Sequence, residues 1–109
     1  MPKGVRNYMW KGGKQIDKTG YILILNRNHP FCNKAGYIRE HRLVVESQLN
    51  RYLSPEEKVH HLGEKDDNRP QMLIAFVNDS AHQRFHHNEK NVKQNEIIFD
   101  GRLLESNNL

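Results

Sequence analysis

The sequence predicts a small single-domain α+β fold. Its core is a two-stranded antiparallel hairpin with a following helix over residues 58–87, preceded by one strand and one helix. Three observations lead there. The chain has 109 residues, too few for two independent cores. From residue 58 the pattern runs strand, polar loop, strand, short helix. Five of the seven histidines fall between His60 and His87, on that strand and that helix.

Taken in order, residues 1–20 carry Lys3, Arg6, Lys11, Lys14 and Lys18 with four glycines and no apolar periodicity, so they read as a basic, loosely ordered arm anchored by Trp10. Tyr21–Leu25 is β-rich and bounded by Gly20 and Asn26-Arg27-Asn28, which predicts a strand. The Pro and Gly of residues 29–36 mark a loop, with His29 as a turn residue. From Tyr37 to about Asn50 the periodicity turns helical, with Ile38, Val45 and Leu49 on one face and Leu43 and Val44 widening it. His41 is expected to pack or to make a structural hydrogen bond. Ser54-Pro55-Glu56-Glu57 reads as a turn into a short strand, Lys58–Leu62.

Residues 63–70 (GEKDDNRP) form a polar loop, and Met72–Val77 reads as the second strand. Asn78-Asp79-Ser80 then looks like a helix start, with Asp79 near the positive end of the dipole. That helix carries Ala81 to about His87. Residues 88–109 read as an extension in which Ile97–Phe99 and Arg102–Leu104 flank Asp100-Gly101 as a terminal hairpin.

Composition narrows the function classes. With 17 Lys+Arg against 13 Asp+Glu, the net charge of +4 favours an anionic partner without naming one. A single cysteine, Cys32, excludes an intrachain disulfide framework and a Cys-rich zinc site, and fits a reducing cytoplasm. The longest apolar run is the six residues Met72–Val77, far below a membrane span. Hydrophobic residues make up only 36% of the chain, so the core is thin and a metal or a partner is expected to add stability.

The histidines carry the chemistry. His82 and His86 lie four apart, so on a helix both project from one face and can hold one divalent ion. A third ligand must come from elsewhere, and the adjacent pair His60-His61 offers it. Neighbours in a strand point to opposite faces, so one of the pair joins the helix histidines. The other is left beside the ion, where a general base is placed. Asp66-Asp67 is expected to be a solvated loop pair.

Val59-His60-His61, Lys65-Asp66-Asp67-Asn68-Arg69-Pro70, Leu73 and Ser80–His87 together resemble the HNH (ββα-metal) nucleases, in their phage and mobile-element branch. Upstream, Trp10-Lys11-Gly12-Gly13, Gly20-Tyr21, His29-Pro30 and Gly36–Val44, with its Glu40-His41-Arg42 run, resemble that branch's leader. The resemblance covers roughly residues 10–87. It implies a domain over 21–87 with a ββα-metal core at 58–87, hydrolysing DNA phosphodiesters with one divalent ion to leave 5′-phosphate and 3′-hydroxyl ends. By position it makes His60, His82 and His86 the metal ligands and His61 the general base. The ion would be Mg²⁺, Mn²⁺, Co²⁺, Ni²⁺ or Zn²⁺, with three imidazoles softer than the usual Mg²⁺ site. One centre per monomer fits a nickase, and a homodimer would cut both strands. The expected setting is the cytoplasm of a bacterial or phage-infected cell.

The chain departs from the family pattern twice. The loop after His60-His61 is one residue shorter, and Met72 stands where the family places the middle Asn that ties the loop and fixes the base. Met cannot make that bond with any strength, which leaves Asn68 or Gln71 to replace it, and Asn68 is the candidate site residue. For DNA contact the candidates are Lys11 and Lys14 in the arm, and Arg39, Arg42, Arg69 and Arg84 nearer the histidines. The alternative from a different class is a catalytically weak or inactive module that binds nucleic acid through its basic residues.

Overall fold

A computed structural model describes residues 14–107. Among these, two three-stranded antiparallel sheets flank a central helix, and two further helices follow. The first sheet runs β1 (Lys14–Ile16), β2 (Ile22–Leu25), β3 (Tyr37–Arg39), and leads into helix α1 (Glu40–Leu49). The second sheet has the order β4 (Lys58–His61), β5 (Leu73–Phe76), β6 (Ile97–Asp100). Helix α2 (Asp79–His87) follows β5, and α3 (Arg102–Asn107) follows β6.

The basic arm is therefore not loose from residue 14 onward. Lys14, Gln15 and Ile16 pair with Ile24, Leu23 and Ile22. The reversal is set by Asp17, whose Oδ1 accepts from the Thr19 amide at 2.9 Å and hydroxyl at 2.7 Å, and from the Tyr21 amide at 3.0 Å. Gly20 completes it at φ +99°, a conformation that favours glycine. Trp10 and Lys11 lie outside the described residues.

Helix α1 begins three residues later than its periodicity implies, because Tyr37, Ile38 and Arg39 pair with Leu25, Ile24 and Leu23 instead. The chain turns from strand to helix at Glu40 without a loop. Asn50 ends the helix in the left-handed region at φ 65°, its amide donating to the Glu46 carbonyl at 2.8 Å. Leu43 packs with Ile24 and Ile38 under the first sheet. Val44 and Val45 pack with Leu53, Leu73 and Ala75 under the second, joined by Leu49 and Val59.

Strand β5 is fully buried along its length. Leu73 and Ala75 face α1, whereas Ile74 and Phe76 pack with Ala81 and Phe85 of α2. A strand covered on both faces reads as a continuous apolar run, which is how residues 72–77 appear in the sequence. Met72 is not in the strand; it closes a 3₁₀ turn, Pro70–Met72, that feeds β5.

The expected terminal hairpin is absent. Ile97–Asp100 pairs with β5, and Arg102–Leu104 belongs to α3. The Asp-Gly pair serves other purposes here. Asp100 Oδ1 accepts from the Arg102 amide at 3.1 Å, starting a helix. Gly101 is buried, with its amide donating to the Leu73 carbonyl at 2.9 Å, and any Cβ there would collide with the Pro70 carbonyl. Two 3₁₀ turns, Glu89–Asn91 and Gln94–Glu96, fill the stretch between α2 and β6.

His29 is more than a turn residue. It is 3% exposed, and its Nε2 lies 2.9 Å from both carboxylate oxygens of Glu46, itself 1% exposed. The Phe31 amide donates to His29 Nδ1 at 3.0 Å, so the ring proton sits on Nε2 and is donated to Glu46. Glu46 Oε2 also accepts from the Leu53 amide at 2.9 Å. This buried pair ties the β2–β3 loop, α1 and the segment leading to β4 together. Glu46→Ala strands two buried donors, and should cost about 3–5 kcal/mol of unfolding free energy in denaturant titrations.

Candidate functional site

The site is built by the pleat of β4. His60 pairs with Ile74 and His61 with Leu73, and residues paired across an antiparallel ladder share a face. Ile74 faces α2 and Leu73 faces α1, so the two adjacent imidazoles part to opposite sides of the sheet.

On the α2 side, Asn78 caps the helix by accepting from the Ala81 amide at 2.9 Å. Ala81 and Phe85 anchor α2 on β5, which turns His82 and His86 toward β4. His60 Nδ1 lies 3.2 Å from His82 Nε2. The rings of His60 and His86 are 4.5 Å apart, and those of His82 and His86 4.7 Å. One nitrogen from each of the three lies within 4.8 Å of the others, so the group could hold a metal ion. Imidazole nitrogens around a tetrahedral ion stand about 3.3 Å apart, close to the His60–His82 spacing.

Electrostatics favours the ligand form of these rings. Burial, then the neighbouring His86 and His82, push His60 down to about 4, and burial followed by His86 lowers His82. Both are neutral at pH 7, with lone pairs available. The Asp79 carboxylate lies 3.8 Å from His82 Nδ1 and biases the proton to that nitrogen, leaving Nε2 for the cluster. His86 is exposed, which leaves one side of the cluster open.

On the α1 side, His61 Nε2 lies 2.6 Å from Asn68 Oδ1. Asn68 Nδ2 in turn donates to Glu40 Oε1 at 2.9 Å, and the Lys14 ammonium lies 3.6 Å from Glu40 Oε2. The amide that meets His61 is thus Asn68, seven residues on in the polar loop, and not Gln71. Met72 supports the loop differently. Its carbonyl accepts from the Leu62 amide at 2.9 Å, and its methyl lies over Gly63, too close for a Cβ at that position.

His41 packs its ring 4.6 Å from that of His61, edge to face, and Tyr21 flanks both. His41 is 5% exposed and its Nδ1 has no partner among the described residues. Burial, reinforced by His61 and by the Arg39 and Arg42 charges, holds it down at about 3, so it stays neutral. The Arg39 guanidinium lies over the Tyr21 ring at 4.6 Å, and the Lys65 ammonium is 5.3 Å from the same ring. Two cations thus stand against the ring that flanks His61.

The other cationic candidates are placed differently. Arg42 donates to the Glu57 and Ser54 carbonyls, both at 2.7 Å, which makes it a tie for the turn before β4. Arg84 makes a two-bond pair with Glu96 at 2.9 and 2.7 Å, holding α2 to the 94–96 turn. Arg69 pairs with Asp67 at 2.8 Å while its side chain stays 68% exposed. Arg39 and Lys14 are exposed, whereas Arg42 and Arg84 are tied into the fold by these bonds.

Sequence reasoning missed Tyr21, Lys65 and the part Glu40 plays. Glu40-His41-Arg42 was visible only as a run, because its contacts are made with residues 12–28 positions distant. No protein-family model matches this chain, nor does any curated protein or solved structure.

His41 makes the fold acid-sensitive in a defined window. In the unfolded chain it takes a proton near 6.5, but in the fold only near 3. Between these values the unfolded state holds the extra proton, so stability is full above pH 6.5 and falls as the pH drops toward 3. The slope from this group approaches about 1.4 kcal/mol per pH unit. Denaturant titrations over that range should show His41→Leu flattening the slope by about this amount.

Proposed function

We propose that this chain is a metal-dependent endonuclease of the HNH type that hydrolyses DNA phosphodiester bonds, with His61 as general base and one divalent ion held by His60, His82 and His86. One observation carries the reading: β4 divides two adjacent histidines between a three-imidazole cluster and a hydrogen-bonded, oriented single ring. The unit β4–β5–α2 supports it as the ββα core that such enzymes use. Three nitrogen donors without a carboxylate favour zinc, nickel, cobalt or manganese over magnesium in affinity.

An ion at this cluster would stabilise the charge that develops on the phosphate and on the leaving oxygen. The protein's own part is proton transfer and placement. Because the Asn68 carbonyl oxygen only accepts, His61 carries its proton on Nε2 and keeps the Nδ1 lone pair free to take one from the attacking water. Arg39, Lys65 and Lys14 lie on this side and offer positive charge to the DNA backbone. The partner is DNA, bound by a monomer that nicks or by a homodimer that cuts both strands.

The test is a supercoiled plasmid incubated with the full chain and each of Mg²⁺, Mn²⁺, Co²⁺, Ni²⁺ and Zn²⁺. Nicking that stops with chelator is expected; a salt-sensitive gel shift with no cleavage in any metal would leave a nucleic-acid-binding module in its place. His61→Ala should lower the rate ~10²–10⁴-fold and keep the metal. By contrast, His60→Ala and His82→Ala should lose stoichiometric metal, measured on the purified proteins by atomic emission. Asn68→Ala should slow cleavage ~10²-fold with metal content unchanged, because the base is then loosely placed.

A further inference from the structure

We infer that Glu40 is a positioning residue that fixes which nitrogen of His61 carries the proton, acting through the side-chain amide of Asn68. The inference rests on the proposed base for its consequence in catalysis, but its structural content stands alone.

Hydrogen-bond polarity is passed along a chain of three side chains. An ionised carboxylate only accepts. Glu40 Oε1 is 2.9 Å from the Asn68 amide nitrogen, so it allows Asn68 one orientation, with NH₂ toward Glu40. The other end of the amide, Oδ1, is thereby aimed at His61, 2.6 Å away. An oxygen there accepts, so His61 must present Nε2–H and keep its lone pair on Nδ1. The opposite orientation of Asn68 would place NH₂ against His61 and force the proton to Nδ1, blocking the nitrogen assigned to the base.

Glu40 is held in place by its surroundings. Its side chain is 9% exposed, it sits in the first turn of α1 at the positive end of the helix dipole, and Lys14 lies 3.6 Å from its second oxygen. Among the described residues, Glu40 is the group that accepts from the Asn68 amide nitrogen. Asn68 by itself is symmetric in shape between its two ends, and His61 can adopt either tautomer.

Glu40→Gln is the test, since it keeps the shape and removes the constraint. The new amide can turn its NH₂ to Asn68, letting Asn68 flip and pull the proton of His61 onto Nδ1. Long-range ¹H–¹⁵N spectra of the labelled full chain, recorded well above the ordinary histidine range, read the tautomer directly. The parent should show His61 as Nε2–H, and Glu40→Gln should show a substantial Nδ1–H population. In the double variant Glu40→Gln/Asn68→Asp, a carboxylate again faces His61 and should restore Nε2–H. Cleavage should follow the tautomer, dropping about 10-fold or more in the single variant and recovering in the double. An Nδ1–H parent would overturn the inference before any variant is made. So would a single variant with the parent's tautomer, or a double variant that does not restore it. If the tautomer responds while no form cleaves DNA in any metal, Glu40 keeps this role and the nuclease reading fails.

Discussion

Four residues, Leu73 to Phe76, have solvent on neither face, and that burial dictates much of the rest of the molecule. A short apolar strand in a 109-residue chain can be covered on both sides only if a helix is laid on each. Helix α1 covers Leu73 and Ala75; α2 covers Ile74 and Phe76. Strand β4, hydrogen-bonded alongside, inherits the same division. Val59 and His61 go toward α1, and His60 toward α2. The chemical asymmetry between two identical neighbouring side chains thus follows from the hydrophobic requirement of a strand that carries no functional group.

Around this centre the core is small, and polar ties do what apolar area cannot. The segment between α1 and β4 holds only Leu53 as a fully buried apolar residue. It is fixed instead by Arg42 on two carbonyls, by the Arg51–Glu57 pair at 2.9–3.0 Å, and by Glu46 accepting from the Leu53 amide. The low hydrophobic content pointed to a supplementary source of stability, and the buried and half-buried hydrogen bonds of Glu46 and Arg42 supply one, since bonds to charged groups are stronger than neutral ones.

What could be read in the sequence was what depends on near neighbours. The helix start at Asn78-Asp79-Ser80, the alternation at His60-His61, the one-turn spacing of His82 and His86, and the buried run before Val77 all follow from local geometry. Misreadings came where a local signal served a distant partner. Asp100-Gly101 has the chemistry of a tight turn, yet its glycine is required by the Pro70 carbonyl thirty-one positions earlier. Tyr37–Arg39 fits a helical pattern but is claimed by β2. The His29–Glu46 pair and the Glu40–Asn68–His61 chain join residues 7–28 positions apart, and no spacing rule connects them. Asn68 was within reach because it belongs to the loop that leaves His61, whereas Glu40 arrives from another element.

The alternation in β4 also decides where this chain tolerates a change of length. Adding or removing one residue inside Lys58–His61 would exchange the environments of His60 and His61, sending the wrong ring to each side and turning Val59 out of the core. The polar stretch 62–69 has no such parity to keep. It has to bring Asn68 to His61 and return the chain to Leu73 in register, and the Leu62–Met72 backbone bond closes it at the base of the ladder. Length variants over generations should therefore accumulate in the loop and be purged from the strand, even though the strand is the shorter target.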